Sequence, residues 1–139
     1  MPRIRTIKPE FWSHPLVRKT GLRYVSTTPI LPTPRQSWAG LPGHLYGDGF
    51  LYFFFGKGGC LLYVGMTTAP RLRVSQHRRK DWWPQAVEVE IAAFDCPDRK
   101  LAEKALRSLE AVAISMMGPR ENIAMPSKDL LEVANSALV

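Results

Sequence analysis

The hydrophobic pattern of this chain changes rhythm several times after Gly47, and each rhythm selects an element. Phe50-Leu51-Tyr52-Phe53-Phe54-Phe55 is an unbroken apolar run with the length and aromatic content of a buried strand. Gly56-Lys57-Gly58-Gly59 can reverse it, and Cys60 to Met66 forms a second apolar run, so the two read as an antiparallel hairpin. Thr67 and Thr68 offer capping hydroxyls ahead of Pro70, which predicts a short helix from about Pro70 to Arg79. Trp82-Trp83-Pro84 interrupts it. Val87-Glu88-Val89-Glu90-Ile91 then alternates apolar with acidic, the period of a half-exposed third strand.

Asp95-Cys96-Pro97-Asp98 supplies caps for a long helix, whose Ala102, Ala105, Leu106, Leu109, Val112, Ala113 and Met116 fall at i, i+3, i+4, i+7 spacing. Gly118-Pro119 stops it. Ser127 caps a last helix carrying Leu130, Leu131, Ala134 and Leu138 on one stripe. The order β-β-α-β-α-α predicts an α+β domain over residues 48–139, with helices flanking a small three-stranded antiparallel sheet.

Residues 1–47 follow no such rhythm. Seven of the twelve prolines lie within the first 42 residues, where fixed φ and missing N–H groups oppose continuous helix or sheet. The expectation is a basic, Pro-rich arm that the core can fold without. Phe11, Trp12 and Trp38 lie in this segment, either anchoring it to the core or stacking on bases, with anchoring favoured.

Charge adds a partner class. The net formal charge is +7, and it is unevenly placed, with thirteen Lys and Arg against two acids in residues 1–80 and six against ten thereafter. A basic half of this kind suits a polyanion, because each neutralised phosphate releases condensed counterions. Solubility alone is the competing explanation of such a balance. No apolar run reaches the roughly 18 residues of a membrane span, and the start lacks a signal-peptide core, so a cytoplasmic protein of a bacterial or phage-infected cell is expected. Cys60 and Cys96 have no zinc-type spacing and read as reduced thiols.

Several residues stand out as chemistry. Tyr52 and Tyr63 occupy adjacent strands of the hairpin, where two phenols can approach, although core aromatics are the plainer reading of each alone. Arg73 and His77 are four apart on the short helix and share a face. Glu110 lies about 40° from Leu106 at 100° per residue, on the shoulder of the apolar stripe, where a carboxylate is partly desolvated. Arg71, Arg78, Arg79 and Lys80, followed by Trp82, combine positive charge with aromatic surface, the elements of nucleic-acid binding.

In this order and spacing, these residues resemble the GIY-YIG nuclease signature. Tyr52 and Tyr63 are 11 apart, Arg73 follows Gly65 by 8, and Glu110 precedes Pro119 by nine and Asn122 by twelve, the spacing of the family's excision-repair members. The resemblance spans residues about 48–126, with Phe50 and Leu51 standing where the family has glycine and isoleucine. It implies a GIY-YIG-like fold and a metal-dependent endonuclease acting on nucleic acid, DNA in preference to RNA. It further implies a single Mg²⁺ or Mn²⁺ on Glu110, Tyr52 and Tyr63 orienting or deprotonating the attacking water, and Arg73 clamping the phosphate. His77 would assist proton transfer or orientation, and Asn122 would brace the site. The bulky Phe50 favours one alternative, a catalytically inactive nucleic-acid-binding module on the same fold. The opening Arg3 to Trp12 resembles the first residues of some phage-type replication proteins, which implies a phage or mobile-element origin. A protein partner or a second copy would dock through the N-terminal arm.

Overall fold

Phe50 to Phe55 leave no side of their strand fit for water, and the surrounding architecture supplies a cover for each face. The computed structural model describes residues 9–30, 47–69, 76, 79–122 and 127–137. Two five-residue helices, α1 (Pro9–Ser13) and α2 (Pro15–Lys19), precede four strands, β1 (Arg23–Ile30), β2 (Gly49–Gly56), β3 (Leu61–Thr67) and β4 (Ala86–Asp95). Two further helices follow, α3 (Ala102–Met117) and α4 (Ser127–Ala137). The strands form one antiparallel sheet in the order β1-β4-β2-β3. Among the described residues no helix is long and apolar enough to cross a membrane.

Every residue of β2 is buried. Leu51, Phe53 and Phe55 point to the helical layer, where they join Phe11, Phe94, Leu109 and Val112. Phe50, Tyr52 and Phe54 point the other way and pack with Val89, Ile91, Ala93 and Trp82. The period of two thus places two separate apolar clusters on opposite faces of one sheet.

The α+β class expected from the sequence is present, but the sheet has four strands rather than three. The additional strand is β1, from the segment expected to be an irregular arm. It pairs with β4 from Arg23↔Asp95 to Ile30↔Val89 and lies at the edge of the sheet, where a proline such as Pro29 is tolerated. The helices before it belong to the same core. Phe11 is fully buried, Trp12 packs edge-on against Tyr24 at 5.0 Å, and Tyr24 in turn meets Phe94 at 5.8 Å. Residues 9–30 are therefore structural, and Trp38 lies outside the described residues.

β4 also differs from expectation. It runs for ten residues and is central, so the acidic positions expected in solvent are enclosed, with Glu88 and Glu90 at 4% and 0% exposure. Val87, expected inside, is 45% exposed. The alternation was legible, but Glu88 and Glu90 pair in register with Phe55 and Phe53 and so share the face that the helices cover.

The long helix begins as its caps predict. Asp98 accepts a hydrogen bond from the Lys100 N–H at 3.0 Å and opens a 3₁₀ turn, Arg99–Leu101, that leads into α3. Gly118 ends α3 in the left-handed region at φ 57°, its N–H donating to the Ile114 carbonyl at 3.0 Å. The buried Ser108 hydroxyl donates to the Ala134 carbonyl at 2.7 Å and holds α4 against α3.

If Phe11 completes the core, Phe11→Ala should lower unfolding free energy by about 3–5 kcal/mol. Denaturant titration reads this as a lower midpoint. An unchanged midpoint would mean that the N-terminal helices are dispensable.

Candidate active-site cleft

β3 is the outer strand of the sheet, and an uncovered strand edge is a row of unpaired donors and acceptors. The chain leaving α3 covers it. After Gly118 and the buried Pro119, the Arg120 N–H donates to the Leu61 carbonyl at 3.2 Å and the Glu121 N–H to the Leu62 carbonyl at 2.7 Å. Asn122 then continues the pairing with its side chain. Its Oδ1 accepts from the Val64 N–H and its Nδ2 donates to the Val64 carbonyl, both at 2.9 Å. A carboxamide carries a donor and an acceptor at the spacing of a peptide unit, so Asn122 does for Val64 what a neighbouring strand would do.

This arrangement brings the end of α3 and the outer hairpin strand together around a cleft of about 550 Å³. Tyr63 from β3, Glu110, one turn before Ile114 on α3, and Asn122 line it together. Lys80, Asp81, Trp82 and Gln85 come from the turn before β4, and Glu121 comes from the segment beside β3. Glu110 is half-buried, as its place on the shoulder of the apolar stripe predicts.

Tyr63 is held by rings on both sides. It stacks on Trp82 with centroids 5.2 Å apart and planes 17° apart, and on Tyr52 at 6.2 Å and 22°. Tyr52 lies behind it, fully buried and outside the cleft lining. Tyr52 pairs in register with Gly65, and a Cβ at position 65 would overlap the Tyr52 ring and hydroxyl. The glycine after Tyr63-Val64 is therefore required by packing, whatever the chemistry of the cleft.

Trp82 is only 6% exposed, its ring set against Tyr63 and, at 5.1 Å, against Phe54. The aromatic surface expected to stack on bases is largely occupied by the protein's own rings, and Trp82 serves as a wall of the cleft. Arg79 and Lys80 are exposed, with Lys80 at the cleft. Arg71, Arg73, His77 and Arg78, and most of the helix expected from Pro70 to Arg79, lie outside the described residues.

Sequence spacing did not single out Asp81, Gln85 or Glu121. The first two flank the Trp-Trp-Pro turn, and Glu121 sits inside the Pro-x-x-Asn stretch. A position next to a structural turn was the only signal available for them.

Among the described residues no cluster of three or more His, Cys, Asp or Glu could hold a metal ion. A carboxylate on the wall of an open cleft fits Mg²⁺ or Mn²⁺, hard ions that take one or two carboxylates and otherwise keep water. Glu110, Asp81 and Glu121 are the carboxylates among the described residues that line this cleft.

Comparison of the chain with protein-family models, with curated proteins and with solved structures finds no match.

Removing the Asn122 carboxamide strips Val64 of both side-chain hydrogen bonds. Asn122→Ala should therefore cost about 1–3 kcal/mol in unfolding free energy. Thermal or denaturant melts would show it, and a loss within error would mean that β3 does not depend on this clamp.

Proposed function

We propose that this chain is a metal-dependent endonuclease of GIY-YIG type, hydrolysing phosphodiester bonds of nucleic acid, with DNA preferred over RNA. The observation that carries the reading is the convergence on one cleft of Tyr63 from β3, Glu110 from α3 and Asn122 from the segment after it.

Phosphodiester hydrolysis requires a positioned water, stabilisation of charge at phosphorus, and help for the leaving oxygen. Glu110 would hold a divalent cation, which when bound supplies Lewis acidity toward the phosphate oxygens. Tyr63 presents its phenol from a ring fixed by Trp82 and Tyr52, and so can orient the attacking water or take its proton. A free phenol titrates near 10, so accepting a proton at neutral pH requires neighbouring positive charge, a role that suits Arg73. The resemblance assigns Arg73 the clamp on the reacting phosphate and His77 a share in proton transfer or orientation. Tyr52, enclosed behind Tyr63, contributes by fixing that ring. Lys80 and Arg79, with Arg71 and Arg78, would contact the backbone away from the reacting bond.

One observation favours a second reading, a module that binds nucleic acid without cutting it. Phe50, 3% exposed, fills with a buried ring the position where the family's first motif has a glycine. The two readings part at Glu110. Glu110→Gln should reduce cleavage of plasmid DNA in Mg²⁺ or Mn²⁺ by roughly 10²-fold or more while leaving nucleic-acid affinity and melting temperature nearly unchanged. A wild-type protein that binds nucleic acid but cuts neither DNA nor RNA under any divalent ion would favour the inert module. A Glu110→Gln variant as active as wild type would remove Glu110 from the chemistry.

A further inference from the structure

Beside the cleft lies a second cavity of about 380 Å³, and Gln85 lines both. Three turns build it. The hairpin turn Lys57–Gly59 contributes Lys57 and is closed by the Gly56 N–H donating to the Cys60 carbonyl at 2.7 Å. The 3₁₀ turn Trp83–Gln85 contributes Pro84 and Gln85, with the Gln85 N–H donating to the Trp82 carbonyl at 2.9 Å. The segment after α3 contributes Arg120, whose main chain is fixed to Leu61.

The described residues lining the two cavities differ in charge. Those of the cleft include Lys80 and the carboxylates of Asp81, Glu110 and Glu121. Those of the second cavity include Lys57 and Arg120 and no carboxylate, the Glu121 paired with Arg120 lying in the cleft lining. A site that concentrates negative charge to hold a cation also repels every phosphate of a nucleic-acid strand except the one the cation binds, so a neighbouring phosphate needs its own compensating charge.

Arg120 is built for that task. Its guanidinium donates to the Gln85 side-chain oxygen, and its Nε lies 3.4 Å from the Glu121 carboxylate. The ion pair is half in solvent, at 49% and 33% exposure, so it holds Arg120 only weakly and a phosphate can take its place. A guanidinium fork grips a phosphate through two hydrogen bonds, which makes arginine the fitting residue here.

We infer that the cavity walled by Lys57 and Arg120 is a second phosphate-binding subsite, which takes a backbone phosphate of the same strand whose phosphodiester bond lies in the cleft. This rests on the nuclease reading of the cleft. Pro84 and Val87, both exposed, give the subsite apolar surface for a sugar, and Gln85 spans the boundary between the two cavities.

The test uses fluorescein-labelled single- and double-stranded DNA, with binding followed by anisotropy across a salt series in EDTA, so that no cleavage intervenes. Lys57→Ala and Arg120→Ala should each weaken binding and lower the slope of log affinity against log salt by about one, and Arg120→Lys should keep most of the slope. Lys57 sits on an exposed turn, so its variant reports even if Arg120→Ala loses stability with its Gln85 contact. Cys60 supplies a readout of location, since it lines this cavity and is exposed, whereas Cys96 is buried. Bound DNA should slow iodoacetamide alkylation of Cys60. Wild-type salt slopes in both alanine variants, or equal alkylation of Cys60 with and without saturating DNA, would overturn the subsite, as would a wild-type protein that binds no DNA. Protection of Cys60 and reduced slopes in a protein that never cleaves would instead uphold the subsite and overturn the nuclease reading.

Discussion

A strand with no polar side is the constraint on which the remainder of this structure depends. β2 buries all of its residues, and a two-faced apolar strand is stable only when flanked on both edges and covered on both faces. β4 and β3 satisfy its edges. Leu109 and Val112 of α3, with Phe11 from the N-terminal helices, satisfy one face, and Trp82 takes part of the other. Placing Trp82 against Phe54 also brings the turn before β4 beside the hairpin. The cleft is thus a by-product of covering β2, and its position at the β3 edge follows from where the cover from α3 has to end.

The covered edge of β3 links packing to chemistry. Pro119 cannot continue a helix, and the residues after it are drawn along the strand by the Leu61 and Leu62 carbonyls and by Val64. Glu110 lies on α3 shortly before this departure, so the segment that protects the strand edge also closes the cleft around the carboxylate. Stability and site geometry are served by the same few hydrogen bonds.

Much of this was legible in the residues themselves. The hairpin, the long helix with its Asp98 and Gly118 ends, and the last helix announce themselves through aromatic runs, i, i+3, i+4 stripes and caps, all local signals. The spacing of Tyr63, Glu110 and Asn122 likewise led to residues that share a cleft. β1 was hidden because Ser26-Thr27-Thr28-Pro29 is polar and interrupted, as an edge strand can be, while a central one cannot. Glu88 and Glu90 misled for the opposite reason. Alternation reports that a strand has two kinds of side, but whether the polar side meets solvent depends on strands and helices far away in sequence. The partners of the cleft drawn from turns, Asp81, Gln85 and Glu121, follow no period, and only the folded chain brings them together.

The fit of Tyr52 onto Gly65 bears on how this chain can vary over generations. Each residue occupies the space the other leaves, so position 65 cannot acquire a side chain while position 52 keeps its phenol. A smaller residue at 52 would have to appear first, and it would withdraw the ring on which Tyr63 rests. The two positions therefore change in a fixed order or not at all, and every intermediate along that route loosens the Tyr63 ring at the wall of the cleft.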